Sequence, residues 1–507
     1  MRVRLLAIVA AATLLGAGSA AAAPQGPLGH AGRWITDAQG RAVIVHGINM
    51  VYKRPPYYPE AVGFDDDDAA FLASEGYSAV RVGVIDGAVE PRPGIYDDAY
   101  LDHIAATVDT LARHGIVSLL DFHQDMYSER FFGEGWADWA VQDDGLPNQP
   151  NFGFPGNYVG MPALQRAFDH FWANDPGPDG VGLQDHYAAA WRHVAQRFRG
   201  NPSILGYELM NEPWPGSTWE QCANPAGCPV FDATLAAFIR RTLAAIRQAD
   251  PSTLVWYEPN VIFNDGADTQ VGAPGDARSG FAYHGYCLAT PNSQDPLRGA
   301  ACDQFDNTVV ANAVKHSAAT GDALMMTEFG ATQDQGILER MVDRADANMI
   351  PWEEWAYCGC DDPTTSGPGD TQAIVRDPSQ PPAGDNLVTS TLDVLSRPYP
   401  AAVAGTPQGF GFDPQTHLFH LAYSTARAAG GGSFPAFAES QIVVPARQYP
   451  NGYSVDAQGA AILSAPGASV LRVGACPGAR NVAVQVSPPG TGMTASCAAR
   501  RVPRLAG

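Results

Sequence analysis

Positive charge is scarce in this sequence. Lysine occurs only at Lys53 and Lys315, and 31 basic residues stand against 53 acidic ones, a formal charge of −22. Nucleic acids and anionic membranes both reward clustered Lys and Arg, so neither is an expected electrostatic partner. Past the first two dozen residues no segment offers the roughly 18 uninterrupted apolar residues of a transmembrane helix. No GxGxxG follows a strand-like run, and no HExxH or Cys-rich ligand spacing occurs. No dinucleotide and no metal is therefore implied; the expected cofactor is none. In a chain whose cations are nearly all arginine, a lysine in a loop, Lys53, invites a specific role.

What is present begins with an export signature. Arg2 and Arg4 precede an apolar run from Leu5 to Leu15, and Ala20 to Ala23 supply small residues for cleavage. Residues 1–23 thus read as a signal peptide, and the mature protein as secreted and extracellular. Eight cysteines in an exported chain point to disulfides. Cys222 with Cys228, Cys287 with Cys302 and Cys476 with Cys497 form local pairs; Cys358 and Cys360 stand too close for an ordinary relaxed bridge, and their state is left open.

From residue 43 onward, short β-rich runs alternate with helical patterns. The runs span 43–50, 79–85, 116–123, 204–213, 253–259, 280–287, 323–330 and 350–358. Most are continuously apolar, as parallel strands buried on both faces must be. Eight strand-helix units predict a (β/α)8 TIM barrel over residues 24–400. His123, Asp125, Asn211, Glu212, Glu258, His284, Tyr286, Glu328 and Trp355 all fall at or just beyond C-terminal strand ends, the catalytic face of a barrel. Asp65 to Asp68 read as an acidic cap on the helix that follows. The stretch 124–182 is long for one connection and rich in aromatics. It forms either a packed cap or a wall of the substrate site. Residues 401–507 carry short runs punctuated by Gly and Pro, the pattern of a C-terminal antiparallel β-sandwich domain that braces the barrel.

Two glutamates carry the chemistry. Glu212 closes the fourth run within Asn211-Glu212-Pro213, and Glu328 ends the seventh within TEFG. Glycosidic cleavage needs a proton donor and a carboxylate about the anomeric carbon, about 5 to 5.5 Å apart when configuration is retained. Two strand ends on one barrel face can supply that spacing. The less solvated carboxyl keeps its proton, which makes Glu212 the acid/base and Glu328 the nucleophile.

The stretches HGINMVYKRPPYYP, LLDFHQDMYSERF, GEGWADWAV, ELMNEPWPG, FAYHGYC, TEFGAT, PWEEWAYC and RPYPAAVAGTP resemble glycoside hydrolase family 5, and within it the endoglycoceramidases and endo-galactosylceramidases. The resemblance implies a retaining endo-β-glycosidase that hydrolyses the glycan-ceramide linkage of glycosphingolipids, with transient contact at a membrane or micelle surface. It implies that Asn211 binds the sugar 2-hydroxyl, that Tyr286 holds the nucleophile, that Lys53, His123 and Asp125 bind sugar, and that Trp355 is the platform beneath it. The alternative for His123 and Asp125 is a structural hydrogen-bonded pair, and for His284, placed with the substrate-binding residues, a satisfied core histidine. Phe131, Phe132, Trp136, Trp214 and residues around Ile350 are candidates for an apolar groove. Another aglycone, such as a steryl glucoside or a β-glucan, is the rival substrate, and a non-catalytic glycan-binding barrel the rival class. The family often places a tryptophan after the second strand; this chain has Asp86 there, which predicts a shifted glycan preference.

Overall fold

The computed structural model of the chain describes residues 24–287, 296–365 and 369–497. The export segment read at 1–23 and the last ten residues lie outside them. Eight parallel strands close a barrel in chain order: His46–Met50, Ala79–Val84, Val117–Phe122, Ile204–Glu208, Val255–Tyr257, Ser279–Gly285, Ala323–Phe329 and Trp352–Glu354. These are barrel strands 1 to 8 below. All residues of all eight are buried, which is why the runs look continuously apolar. The barrel floor is closed by Trp256. A Cβ on Gly206 or Gly280 would come within 2.4 Å and 2.2 Å of its indole, so glycine is what lets the two flanking strands pass.

Helices pack outside with the caps their sequences announce. Asp65 and Asp68 form a reciprocal capping box on helix Asp66–Glu75, and the Asp97 side chain accepts from the backbone at the start of helix Asp98–Arg113. The 124–182 connection contains helices Gly156–Gly160 and Pro162–Ala173. Its aromatics mostly fill their own core: Tyr127 stacks on Trp136 with centroids 4.2 Å apart, and Phe131 and Phe168 are buried beside them.

The second domain consists of a five-stranded and a seven-stranded sheet. Strands Thr406–Asp413, Leu418–Ser424 and Asn481–Ser487 alternate buried with half-buried or exposed residues, and their buried faces pack with Ile442, Leu471 and Val473 of the other sheet. Three short N-terminal strands, Gly29–Ala31, Trp34–Thr36 and Ala42–Val43, extend the seven-stranded sheet through the pairing of Val43 with Ala402. Residues 29–43, read from the sequence as part of the barrel segment, thus belong to the sheet of the second domain. Two- and three-residue strands carry too little pattern to reveal their partner. No helix among the described residues is long and apolar enough to cross a membrane.

All three disulfides expected from local spacing are present, and Cys358 is also joined to Cys360. Their Cα atoms lie 5.3 Å apart with only Gly359 between them, which is within bridging range.

The barrel and the sandwich share buried contacts. His46, at the start of barrel strand 1, stacks between Trp352 and Tyr399 with centroid distances of 4.1 and 3.8 Å. Tyr399 donates 2.8 Å hydrogen bonds to the Gly76 carbonyl or the Ser78 hydroxyl. Arg447 clasps both oxygens of Glu75 at 2.7 Å. Because Tyr399 fills this seam, Tyr399→Ala is expected to cost about 3–5 kcal/mol, as buried aromatic truncations do. In denaturant it should lower the unfolding midpoint of barrel and sandwich together; an unchanged barrel midpoint would contradict the brace.

Candidate functional site

A cavity of about 710 Å³ opens at the C-terminal face of the barrel. Of the residues nominated by the sequence, Lys53, Asp125, Asn211, Glu212, Tyr286, Glu328 and Trp355 line it. His123 and His284 lie just beneath, buried behind Asp125 and between the two glutamates.

Glu212 follows barrel strand 4 with φ at 45°, a left-handed conformation that costs a non-glycine residue of order 1–3 kcal/mol. Its neighbours hold it there. The backbone N–H points to Glu258 Oε2 at 3.3 Å, and the carbonyl accepts from Gln124 Nε2 at 3.2 Å. In the side chain, Oε1 accepts from Asn264 Nδ2 at 3.1 Å and meets His284 Nδ1 at 2.8 Å. Burial, helped by the nearby Asp125 carboxylate, pushes the Glu212 carboxyl up to about 7. It therefore keeps its proton close to neutrality.

Glu328 ends barrel strand 7, past an irregularity in its pairing with strand 6. Arg81 Nη1 donates to Oε1, and the Tyr286 hydroxyl donates to Oε2 at 2.9 Å. An oxygen of Glu328 and one of Glu212 lie within 4.8 Å of each other and of His284. That spacing admits an anomeric carbon between the carboxyls and is close to the separation found when configuration is retained.

Arg81 is the central residue that the sequence reading missed. Its side chain is 0% exposed, and its five N–H groups face Glu208, Glu328, Asp121, Asn49 and Asn211. The signal was there: a lone charge inside the apolar run AVRVGVI must be paired once that run is buried. Asn264 and Thr364 were missed too, and no local pattern marks them.

At the other end of the cavity, Lys53 Nζ donates to Asp125 Oδ2 at 2.7 Å and to Thr364 Oγ1 at 2.8 Å, and lies 4.3 Å from the centre of the Trp355 ring. The Trp355 ring also stacks on His123. Burial opposes charge on His123, but Asp121 at 2.7 Å and Asp125 beyond outweigh it and push its pKa up to about 9. His123, Asp125 and Glu134 are close enough to cage a metal ion, yet the ammonium of Lys53 already supplies a cation there. Glu208, Glu258 and His284 form a similar trio, with the guanidinium of Arg81 beside it.

The groove candidates divide. Trp214 lines the cavity, but Phe131 and Trp136 are buried in the packed cap, and Ile350 precedes barrel strand 8 at the opposite end of the barrel. Phe132 is exposed outside the cavity. Aromatic content alone could not separate a cap's own core from a groove. The apolar lining comes instead from Phe154, Val159, Trp214, Trp219, Val261 and Ile262. Asp86 does not line the cavity; it is buried where Gly87 packs under residues 135–137.

Residues 36–361 match the family described as Cellulase (glycosyl hydrolase family 5), and residues 397–486 match the glycoside hydrolase family 5 C-terminal domain. Among curated relatives, endoglycoceramidase I of Rhodococcus hoagii (strain 103S) is 34% identical over 471 residues, covering 91% of this chain and 88% of the relative. An endoglycoceramidase of Hydra vulgaris is 28% identical, covering 83% and 80%. Among solved structures, endo-glycoceramidase II from Rhodococcus sp. superposes with a TM-score of 0.75 at 29% identity, over 90% of this chain and 100% of that one. The same enzyme has been solved as a complex with ganglioside GM3.

The Glu212 environment is directly measurable. In an infrared titration, the carboxyl band that Glu212→Gln removes should persist until pH passes about 7. Asp125→Asn removes a negative charge that favours the proton, so the same band should then vanish at lower pH. A Glu212 band already absent at pH 5 would contradict the geometry.

Proposed function

The chain belongs to glycosyl hydrolase family 5, a retaining glycoside hydrolase, and from that premise we propose that it cleaves glycosphingolipids between glycan and ceramide. Glu328 is the nucleophile and Glu212 the acid/base. One observation carries the substrate: the cavity changes character across the two glutamates. Loops after barrel strands 1, 3 and 8 bring Lys53, Asp125, Thr364 and Trp355, hydrogen-bonding groups and an indole face suited to a sugar. Loops after strands 4 and 5 bring Trp214, Trp219, Val261 and Ile262, an apolar surface for an aglycone, with the polar Asn264 and Asp265 beside it. Against Trp214, Trp219, Val261 and Ile262 the hydroxyls of a β-glucan find no hydrogen-bonding side chain, a cost that favours a lipid aglycone. The relatives named endoglycoceramidase and the ganglioside complex of one of them support the same reading.

In the reaction, a carboxylate oxygen of Glu328 forms a bond to the anomeric carbon as the bond to the ceramide oxygen breaks. The Glu212 proton moves to that oxygen, and ceramide leaves as an alcohol. The glycosyl ester removes the negative charge of Glu328, so Glu212 now accepts a proton from water, whose oxygen bonds to the same carbon as the bond to Glu328 breaks, freeing the glycan and restoring the carboxylate. The Tyr286 hydroxyl and Arg81 orient Glu328 throughout.

Export belongs to the same reading. It is supported by the apolar run led by Arg2 and Arg4 and by four disulfides, which persist in oxidising compartments. Contact with a membrane or micelle surface would be transient, because the substrate is drawn from one.

Purified glycosphingolipids in mild detergent should yield intact oligosaccharide and intact ceramide by mass. Release of single sugars only, or no action on any lipid, would overturn the substrate assignment. Trp219→Ala should lower kcat/KM for the glycolipid by about tenfold, the effect of losing roughly 1.4 kcal/mol of apolar contact, while an aryl glycoside of the same sugar stays within about twofold. Equal losses on both substrates would place Trp219 outside the aglycone site.

A further inference from the structure

We infer that Glu258 is a positioning residue that holds a proton against His284 Nε2, fixing the imidazole so that the transferable proton of Glu212 sits on Oε2. The inference rests on the acid/base role proposed for Glu212.

Glu258 follows barrel strand 5 and is 2% exposed. Its Oε2 faces the backbone N–H of Glu212. Its Oε1 has no hydrogen-bond partner and lies 3.5 Å from His284 Nε2, a second buried atom without one. Two facing lone pairs in a buried site are repulsive, and a single proton between them satisfies both atoms. The charged and titratable groups around the pair are Arg81, Asp121, Glu208, Glu212, Glu328 and His123. Arg81 lies 3.6 Å from Glu258 Oε1, but its five N–H groups are already directed at five other acceptors. Glu258 thus has no cation of its own. Burial, then Glu208, pushes its carboxyl well above the usual carboxylate range, while burial lowers His284 to about 4. Both effects place the proton on Glu258.

The consequence follows atom by atom. With Nε2 accepting, the imidazole hydrogen must be on Nδ1, where it donates to Glu212 Oε1 at 2.8 Å beside the donor from Asn264. Oε1 then takes two hydrogen bonds, and the acid proton is left on Oε2. The opposite tautomer would present a lone pair to Oε1. The proton of Glu212 would then be drawn onto Oε1 and held by His284 instead of reaching the leaving oxygen.

The test compares Glu258→Leu, which has no donor, with Glu258→Gln, whose amide can still donate to Nε2. Both are assayed on a glycosphingolipid and on the 2,4-dinitrophenyl glycoside of the same sugar, whose leaving group needs no proton. Glu258→Leu should lose at least about 100-fold in kcat/KM on the glycolipid, the scale of general acid catalysis, and less than about fivefold on the aryl glycoside. Glu258→Gln should recover most of the glycolipid rate. Nitrogen-15 spectra should show the His284 hydrogen on Nδ1 in the native protein and in Glu258→Gln. Equal losses on both substrates, a Gln variant as poor as Leu, or a native His284 protonated on Nε2 would each overturn the inference, and the native spectrum decides even if Glu258→Leu does not fold. Glu212→Gln separates the two levels: if it lacks the same leaving-group split, the acid/base reading fails whatever Glu258 does.

Discussion

One buried guanidinium holds the catalytic face together. Arg81 reaches Asn49 on barrel strand 1, Asp121 on strand 3, Glu208 and Asn211 at the end of strand 4, and Glu328 on strand 7. A charge this deep costs several kcal/mol unless its surroundings supply both countercharge and hydrogen bonds, and here every N–H faces an oxygen. The same contacts position Glu328 and orient Asn211, whose amide also donates to the Gln124 carbonyl at 3.0 Å. A lysine at this position would offer three donors from one point, and could not span four strands.

The barrel interior holds more carboxyls than cations, and that excess sorts their roles. Glu353 on strand 8 is buried, with both oxygens lacking hydrogen-bond partners, and burial raises it well above the usual carboxylate range. Glu258 belongs with it. Glu212 sits at the rim, 13% exposed in its side chain, and burial raises it only to about 7. Glu328 takes Arg81 and Tyr286. The division of labour between the two glutamates therefore follows from where one arginine is placed. Glu212, expected from the sequence to be the less solvated carboxyl, is the more exposed of the two at 13% against 7% for Glu328, and it is Arg81 that distinguishes them. At the polar end of the cavity Lys53 acts as a second cation, bound to Asp125 and lying over Trp355.

Much of this was legible in the sequence because strand burial and active-site placement leave periodic traces. Eight apolar runs with polar residues at their C-terminal ends specified the barrel and gathered Glu212, Glu328, Asn211, Tyr286 and Trp355 on one face. Lys53 stood out through its rarity. Arg81 was overlooked because an arginine in a strand leaves no spacing motif, only a break in an apolar run. The lining from Phe154, Val261 and Ile262 depends on how long loops fold back, and Phe131 and Trp136 show that identical residue types turn inward to pack a cap. The short strands at 29–43 joined the distant sheet through long-range pairing that local pattern does not encode.

The most direct test of the central claim is covalent trapping. A 2-deoxy-2-fluoro glycoside with a good leaving group forms the glycosyl-enzyme but releases it slowly, and peptide mass mapping then locates the sugar. A single label on Glu328 is the predicted result. A label on Glu212, or a trapped species at any other residue, would contradict the assignment of roles around Arg81.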